Sequence, residues 1–193
     1  KSPDLIISDV MMPIMDGIEL THHLKTNVTT SHIPVILLTA RASFNNKMEG
    51  FETGADDYVT KPFSPKELIA RVRALLRRQM PLENTGPLSL GPLKLDPSSH
   101  RVLATWPNLE PKTLALGPTE YRLLQFFMSN PERVHSRANL LDKVWGNEVY
   151  IEERTVDVHI KRLRAALGPA DCDRYIETVR GSGYRITKMP TQT

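Results

Sequence analysis

The chain has 193 residues, of which 40% are hydrophobic and 24% charged, a balance typical of globular proteins and enough for two cores of ordinary size. The formal net charge is only +3, so a nucleic-acid interface would need basic residues gathered on one face rather than a polybasic tail. No apolar run approaches the roughly 20 residues that span a bilayer, so no membrane partner is expected. The single cysteine, Cys172, excludes an internal disulfide and favours a reducing, cytoplasmic location.

Residues 4–78 alternate short apolar runs with helical patterns. The run Leu5-Ile6-Ile7 ends in Ser8-Asp9 and predicts a buried strand, and the loop after it is marked by Pro13 and Asp16-Gly17. The other expected elements are helices at 18–25, 43–53 and 64–78 and strands at 34–39 and 58–61. This βαβαβα order predicts a parallel sheet with right-handed crossovers.

Residues 79–87, QMPLENTGP, lack periodicity and are interpreted as a linker. Beyond it, four short strand-like pieces separated by turn residues predict a small antiparallel sheet over residues 88–116. Three helices follow, beginning near Gly117, after Ser136 and near Arg154, and a hairpin turns around residues 181–183. Three helices followed by a hairpin predict a winged helix–turn–helix.

The third of these helices, residues 154–167, separates its side chains by character. One face is expected to be buried because apolar residues recur every three or four positions: Val156, Ile160, Leu163 and Leu167. The outward face is expected to carry Thr155, Val158, His159 and Arg162, flanked by Asp157, Lys161 and Arg164. A basic helix of this length fits the major groove, where an arginine fork can donate to guanine and flanking cations can contact phosphates.

The hairpin adds basic residues beside this helix. Arg180 precedes the Gly-Ser-Gly turn and Arg185 follows it, and an arginine at a hairpin tip can enter a minor groove. For the helix alone, a solvated basic face is the alternative interpretation. Helix and hairpin together predict that the C-terminal half binds duplex DNA.

Three segments of this half resemble the DNA-binding domain of OmpR/PhoB-type response regulators, most of all that of the phosphate-regulon activators. They are LGPTEYRLLQFFMSNPERVHSR, VWGNEVYIEERTVDVHIKRLRAAL and ETVRGSGYR. The resemblance implies a homodimeric activator that binds tandem direct-repeat half-sites. It implies base contacts from Thr155, Asp157, Arg162 and Arg180. It implies phosphate contacts from Trp145, Arg154, Lys161, Arg164, Thr178 and Tyr184. Contacts to the sigma subunit of RNA polymerase are implied for Trp145, Gly146, Val149 and Glu153.

The first half resembles the receiver domain of the same family, through the segments DLIISDVMMPIMDG, PVILLTA and DDYVTKPF. The resemblance implies a CheY-like (flavodoxin-like) fold and a sensor histidine kinase as partner. Asp9 would be the phosphoacceptor, Thr39 and Lys61 would capture the phosphoryl oxygens, and Tyr58 would be the switch aromatic. The Lys61-Pro62 bond is expected to be cis. The expected domains are a receiver over 1–78, a linker over 79–87 and a DNA-binding domain over 88–189.

The chain as written corresponds to the last three of the family's five receiver strands, so we expect a partial receiver that lacks the first two strands and helices. The acidic pair that holds Mg²⁺ in the family belongs to the first strand. Of the metal ligands, Asp9 and the Met11 carbonyl remain. We therefore expect the chain as written neither to bind Mg²⁺ nor to accept phosphate efficiently.

The resemblance also implies a dimer face on the last two receiver elements. Charged positions there are Lys47, Glu52, Asp57, Glu67, Arg71 and Arg73. Plausible intermolecular pairs are Lys47–Glu67, Asp57–Arg71 and Glu52–Arg73. The alternative is a solvated helix surface, since exposed pairs add little affinity although they can set register.

The leading interpretation is a transcription activator controlled by aspartyl phosphorylation, and not an enzyme. A truncated regulator that binds DNA independently of phosphorylation is the nearest alternative. A hydrolase that uses Asp9 as its nucleophile and a scaffold that only dimerises are two others.

Overall fold

The computed structural model describes residues 3–40, 54–78, 86–146 and 153–190. The chain divides into two compact units, residues 1–80 with 117–119 and residues 81–116 with 120–193. The expected helix at 43–53 and most of the expected linker lie outside the described residues. In the described ranges, no helix is both long enough and apolar enough to traverse a bilayer.

The first unit contains a parallel sheet, as the alternation of elements predicts. Its strands lie in the order β1-β2-β3, and both pairs are parallel. The strands are β1 Ile6–Asp9, β2 Val35–Ala40 and β3 Asp57–Lys61, and the helices are α1 Gly17–Thr26 and α2 Pro65–Arg78. The Lys61-Pro62 bond after β3 is cis, as expected.

The central strand β2 is apolar on both faces, which explains why its sequence does not alternate. Val35, Ile36 and Leu37 are all fully buried. Val35 and Leu37 pack with Val10, Ala55 and Tyr58 on one face of the sheet. Ile36 packs on the other face with Val59 and Leu75, and the predicted stripe of α2 lies there with Leu68 and Val72.

Helix α1 begins directly against the end of β1. The Asp16 carboxylate caps the helix by accepting from the Glu19 amide at 2.7 Å. The Gly17 amide donates to the Val10 carbonyl at 3.0 Å. A Cβ on Gly17 would lie 2.2 Å from the Asp9 carbonyl oxygen, so only glycine permits this approach.

A buried ion pair stabilises the first unit. Lys25 Nζ lies 2.7 Å from Asp56 Oδ2, with side chains 8% and 0% exposed. Lys25 also donates to the Ile33 carbonyl at 2.7 Å, and the same Asp56 oxygen accepts from the Val35 amide at 2.9 Å. The pair therefore ties α1 to the start of β2 and to the residue before β3. The sequence reasoning did not single it out.

The second unit has the predicted order of four strands, three helices and a hairpin. Its sheet is antiparallel in the order β4-β5-β6-β7, and the two hairpin strands pair with each other. The sheet strands are β4 Leu88–Leu90, β5 Leu93–Asp96, β6 Arg101–Ala104 and β7 Lys112–Leu114. The helices are α3 Pro118–Ser129, α4 Arg137–Leu140 and α5 Arg154–Leu167, and the hairpin strands are β8 Ile176–Val179 and β9 Gly183–Ile186.

Helix α4 is shorter than the sequence indicates, because its continuation is a π-helical turn over Leu141–Trp145. Ser136 caps α4 as predicted and accepts from the Asn139 amide at 3.2 Å. One core joins the sheet, the three helices and the hairpin. Cys172 is fully buried, and burial raises the pKa of its thiol to about 11, so the thiol is protonated at neutral pH.

The buried pair yields a stability prediction. Replacing Lys25 with Met keeps the aliphatic stem but leaves the Asp56 carboxylate buried without its cation. We expect the first unit to lose about 3–5 kcal/mol of unfolding free energy. Native-state hydrogen exchange at the β2 amides measures this loss.

Glu19→Gln in the same unit is the matched control, because the Glu19–His23 pair is 57% and 61% exposed and 3.9 Å long. It should cost at most about 0.5 kcal/mol. Equal small losses for both variants would contradict a structural role for the Lys25–Asp56 pair.

Candidate phosphoacceptor and DNA-binding sites

Asp9 ends β1 at the carboxyl edge of the parallel sheet, where such sheets place their sites. Its Oδ1 accepts from the Met11 amide at 3.1 Å, and its Oδ2 accepts from Lys61 Nζ. Both side chains are partly exposed, at 34% for Asp9 and 43% for Lys61. The hydrogen bond from Lys61, followed by that from the Met11 amide, lowers the pKa of Asp9 below its ordinary value. The carboxylate is therefore ionised and reachable from solvent.

Thr39 and Tyr58, the other predicted switch residues, are buried in this state. Thr39 pairs with Thr60 and its neighbour Ala40 pairs with Lys61, so Thr39 and Lys61 lie at the same sheet edge. Thr39 is 4% exposed, and its hydroxyl donates to the Ala40 carbonyl at 3.3 Å. Tyr58 is 6% exposed and packs in the first unit's core.

The two predicted metal ligands, Asp9 and Met11, lie close together in the chain. The Met11 side chain is exposed, and its amide already contacts Asp9. Among the residues that the structure describes, no three His, Cys, Asp or Glu side chains come close enough to hold a metal ion. Mg²⁺ prefers six oxygen ligands in octahedral geometry, so the described residues alone do not fit it.

The predicted dimer-face pair Asp57–Arg71 forms within the single chain. Arg71 Nη1 donates to both Asp57 oxygens, at 3.0 and 3.2 Å, because β3 and α2 bring the two residues together. Arg71 also bonds Glu67 at 3.2 Å, one helical turn away. Arg73 is exposed, and Lys47 and Glu52 lie outside the described residues.

Helix α5 buries the predicted stripe. Val156, Leu163 and Leu167 have no exposed surface and Ile160 has 1%. Arg154 and Lys161 are exposed, and Asp157, Arg162 and Arg164 are intermediate. Arg154 and Lys161 are therefore the exposed cations among these residues.

The predicted outward face of α5 is narrower than expected, and the assignment of three residues to it was wrong. Thr155, Val158 and His159 are 6%, 7% and 0% exposed. The apolar period locates the centre of a buried stripe but not its width, which depends on what packs beside the helix. Here the neighbour of His159 is Glu120, in the first turn of α3.

Glu120 joins two residues of α5 and was missed by the sequence reasoning. It is 2% exposed, and its Oε1 lies 2.8 Å from His159 Nδ1. Arg162 reaches the same carboxylate through Nε at 3.0 Å and Nη2 at 3.2 Å, with a side chain 13% exposed. A first-turn glutamate is usually explained by the helix dipole, and no local spacing shows a partner about 40 residues away.

Several residues assigned to phosphate or polymerase contacts make contacts within the chain. Trp145 is 1% exposed and stacks edge-on against His159, so its side chain cannot contact DNA or sigma in this state. Arg164 donates to the Ile176 carbonyl and to Thr178 Oγ1, each at 2.8 Å. Tyr184 is 5% exposed and bonds Asp157. Each of these side chains therefore joins α5 to a neighbouring element.

The other assigned positions are more open. Gly146 ends the π-helical turn at φ 85°, and Glu153, just before α5, is exposed. Thr178 is exposed on β8. Arg180 is exposed in the turn between β8 and β9, and Arg185 pairs across the strands with Glu177 at 2.7 Å. Val149 lies outside the described residues.

Comparison with known proteins matches the two halves of the chain to two different families. A model of the response regulator receiver domain matches residues 1–73, and one of the C-terminal domain of transcriptional regulatory proteins matches residues 111–186. The phosphate regulon transcriptional regulatory protein PhoB of Pseudomonas aeruginosa is 54% identical over 97% of this chain and 79% of its own length. PhoB of Escherichia coli is 54% identical over 96% and 79%. The chain belongs to the OmpR/PhoB-type response regulators.

The fold agrees with this assignment. A solved structure of a RitR mutant superposes with a TM-score of 0.75 at 27% identity, covering 96% of this chain and 79% of that one. This response regulator therefore combines a receiver-like parallel sheet with a DNA-binding effector domain, and it is homologous to PhoB transcriptional activators. Its homologues are transcription factors rather than enzymes.

The lowered pKa of Asp9 yields a second prediction. Lys61→Gln removes the main cause, so the Asp9 pKa should rise toward the ordinary value of about 3.9. A carboxyl with a depressed folded pKa stabilises the fold above its unfolded pKa, and this contribution is lost as pH falls through the folded pKa. Because Lys61→Gln removes this contribution, the unfolding free energy of the receiver unit should fall less in the variant as the pH is lowered.

Carboxyl-carbon NMR of Asp9 during an acid titration measures the shift. Lys66→Gln, an exposed lysine in the first turn of α2, is the control and should leave the titration unchanged. An unchanged Asp9 pKa in Lys61→Gln would show that Lys61 does not set it.

Proposed function

We propose that this response regulator reads DNA through Arg162 in the major groove and Arg180 in the minor groove, under the control of phosphorylation at Asp9. The observation that carries the proposal is the position of Arg180, exposed at the tip of a hairpin in the same unit as α5. Helix α5 carries exposed Arg154 and Lys161. A cationic helix and a tip arginine in one unit suit neighbouring grooves of a duplex.

Arg162 is the base-reading residue of this proposal. Its planar guanidinium is oriented by the Glu120 carboxylate, through two contacts at 3.0 and 3.2 Å. An arginine that is already oriented loses less conformational freedom when it bonds a base. Arg154 and Lys161 are the phosphate-contacting residues, because exposed cations bind the backbone without sequence information.

Control through Asp9 is supported by the geometry of the receiver site. The carboxylate is ionised, reachable and paired with Lys61, whose cation would compensate the added phosphoryl charge. Thr39 would exchange its bond to the Ala40 carbonyl for one to the phosphoryl group. A histidine kinase is the phosphoryl donor that the family implies.

A second candidate, DNA binding that does not depend on phosphorylation, is favoured by one observation. The described residues supply no cluster of acidic, His or Cys side chains able to hold a metal ion. The two candidates share the DNA-binding surface and differ only in whether Asp9 changes its affinity.

The remaining partners follow from the family and from exposure. Tandem direct repeats would be bound by a homodimer, and Arg73 is an exposed cation on α2 that would contribute to the dimer face. Glu153 is the exposed acid best placed for a sigma contact, directly before α5. Gly146, which ends the π-helical turn, would shape the start of the segment that leads to Glu153.

Separate variants distinguish base contacts from phosphate contacts. Arg162→Gln should cost about 1–3 kcal/mol of binding and relax the preference at one base position. Lys161→Gln should weaken binding to every sequence and reduce the slope of log K against log salt by about 1. Fluorescence anisotropy on a selected duplex and on its single-base variants, over a salt series, measures both effects.

Arg174→Gln is the matched control for lost positive charge, because Arg174 is exposed and lies outside α5 and the hairpin. It should leave base preference unchanged. If Arg162→Gln weakens all duplexes equally, Arg162 does not read a base.

The phosphoryl switch is tested on the chain as it stands. If Asp9 controls binding, acetyl phosphate with Mg²⁺ should add one phosphoryl group by intact mass and raise affinity for the selected duplex. Asp9→Asn should abolish both effects. Equal affinity with and without the donor, with no gain in mass, would instead establish the second candidate.

A further inference from the structure

We propose that Arg137, Asp157 and Tyr184 form a positioning triad that holds the hairpin against α5, so that Arg180 and the helix engage DNA as one rigid reader. Arg137 opens α4, Asp157 lies in the first turn of α5, and Tyr184 lies on β9. This inference rests on the proposed role of Arg180 and adds residues that act through it rather than on DNA.

The three side chains share one carboxylate oxygen. Arg137 Nε donates to Asp157 Oδ1 at 2.6 Å, and the Tyr184 hydroxyl donates to the same oxygen at 2.7 Å. Arg137 Nη2 donates to the Tyr184 hydroxyl at 3.2 Å, which closes the triangle. The guanidinium carbon also lies 5.1 Å from the centre of the Tyr184 ring. Hydrogen bonds with an ionised partner are short and strongly directional, so the triangle fixes three elements at one point.

The triad lies at the edge of the core, with its tyrosine buried and its two charged side chains partly exposed. Tyr184 is 5% exposed, while the side chains of Arg137 and Asp157 are 35% and 40% exposed. Burial, together with the bond to Asp157, raises the pKa of the Tyr184 hydroxyl. The hydroxyl therefore keeps its proton and remains a donor to Asp157 across the working pH range.

A second set of contacts holds the other hairpin strand. Arg164, two turns along α5 from Asp157, donates to the Ile176 carbonyl through Nε at 3.1 Å and Nη2 at 2.8 Å. Its Nη2 also donates to Thr178 Oγ1 at 2.8 Å. Helix α5 thus holds β9 through Asp157 and β8 through Arg164.

The backbone of β9 is fixed on its other side. His135 and Tyr184 exchange two backbone hydrogen bonds, at 2.9 and 3.0 Å. A Cβ on Gly183 would lie 2.0 Å from the His135 carbonyl oxygen, so the strand passes here without a side chain. These contacts lie one and two residues beyond the exposed tip of the hairpin, which consists of Arg180, Gly181 and Ser182.

The position of the tip depends on these contacts because the hairpin is short. Each strand has four residues, and an isolated two-stranded hairpin is marginally stable in water. Tyr184 pairs with Thr178, two residues before Arg180, so a shift of this pair displaces the tip directly. A side chain must enter a narrow minor groove within about an ångström. Asp157, assigned to base contacts by resemblance, is therefore better described as a positioning residue.

The test is a double-mutant cycle between Tyr184→Phe and Arg180→Ala. Tyr184→Phe keeps the ring and removes only the hydroxyl. The probe is a duplex of two direct-repeat half-sites, selected from a random pool by the unmodified full chain, and dissociation constants are measured by anisotropy at one salt concentration. We expect Tyr184→Phe to lower affinity about 3- to 30-fold when Arg180 is present and less than twofold when Arg180 is Ala.

An equal loss in both backgrounds overturns the proposal, because it would mean that the Tyr184 hydroxyl contacts DNA directly. No loss from Arg180→Ala alone overturns the proposed role of Arg180 and this inference with it. A loss from Arg180→Ala without coupling overturns only the positioning triad. The two failures are therefore distinguishable.

Two further variants guard against a merely structural effect. Asp157→Asn keeps the shape of the shared acceptor and should show the same coupling to Arg180. Glu177→Gln breaks the pair with Arg185 within the same hairpin without touching α5, and its effect should add to that of Arg180→Ala. Coupling of equal size for Glu177→Gln would show that any weakening of the hairpin suffices, and would overturn the triad.

Discussion

The carboxylate of Glu120 determines the orientation of α5, the helix proposed to read DNA. A buried carboxylate must be paired, and Glu120 finds its partners in His159 and Arg162 of α5. These contacts fix the rotation of α5 about its axis, because rotating the helix would leave the Glu120 carboxylate buried without its partners. What remains exposed follows from that rotation: Arg154 and Lys161 face outward, and Arg162 stays at the margin. The same orientation presents Asp157 and Arg164 to the hairpin.

Most of the fold could be predicted from the sequence because its elements obey local rules. The apolar run of β2, the Ser136 cap and the stripe of Val156, Ile160 and Leu163 all lie where their patterns indicate. The π-helical turn after Leu140 has no such signal, since it uses the same residue types as an α-helix.

The sites were harder to predict, for a different physical reason. A charged residue is assigned from its type and its neighbours in sequence, but its partner is chosen by the tertiary fold. Arg71 therefore pairs with Asp57 of its own chain, and Tyr184 points at Asp157 rather than into solvent. Resemblance located these positions, whereas only the structure shows which contacts they already make. The strand-end Asp9 and its Lys61 partner are the exception, because parallel strands deliver their ends to one edge.

The glycine at the start of α1 gives the receiver unit a property of practical use. Without a side chain at Gly17, the helix rests directly on the backbone of Asp9, with no flexible layer between them. Any displacement of the strand end must then be passed to α1 as a whole. His22 and His23 are exposed on that helix, several residues from the carboxylate. Their imidazole resonances would thus serve as built-in reporters of events at Asp9, read without attaching a label near the site itself.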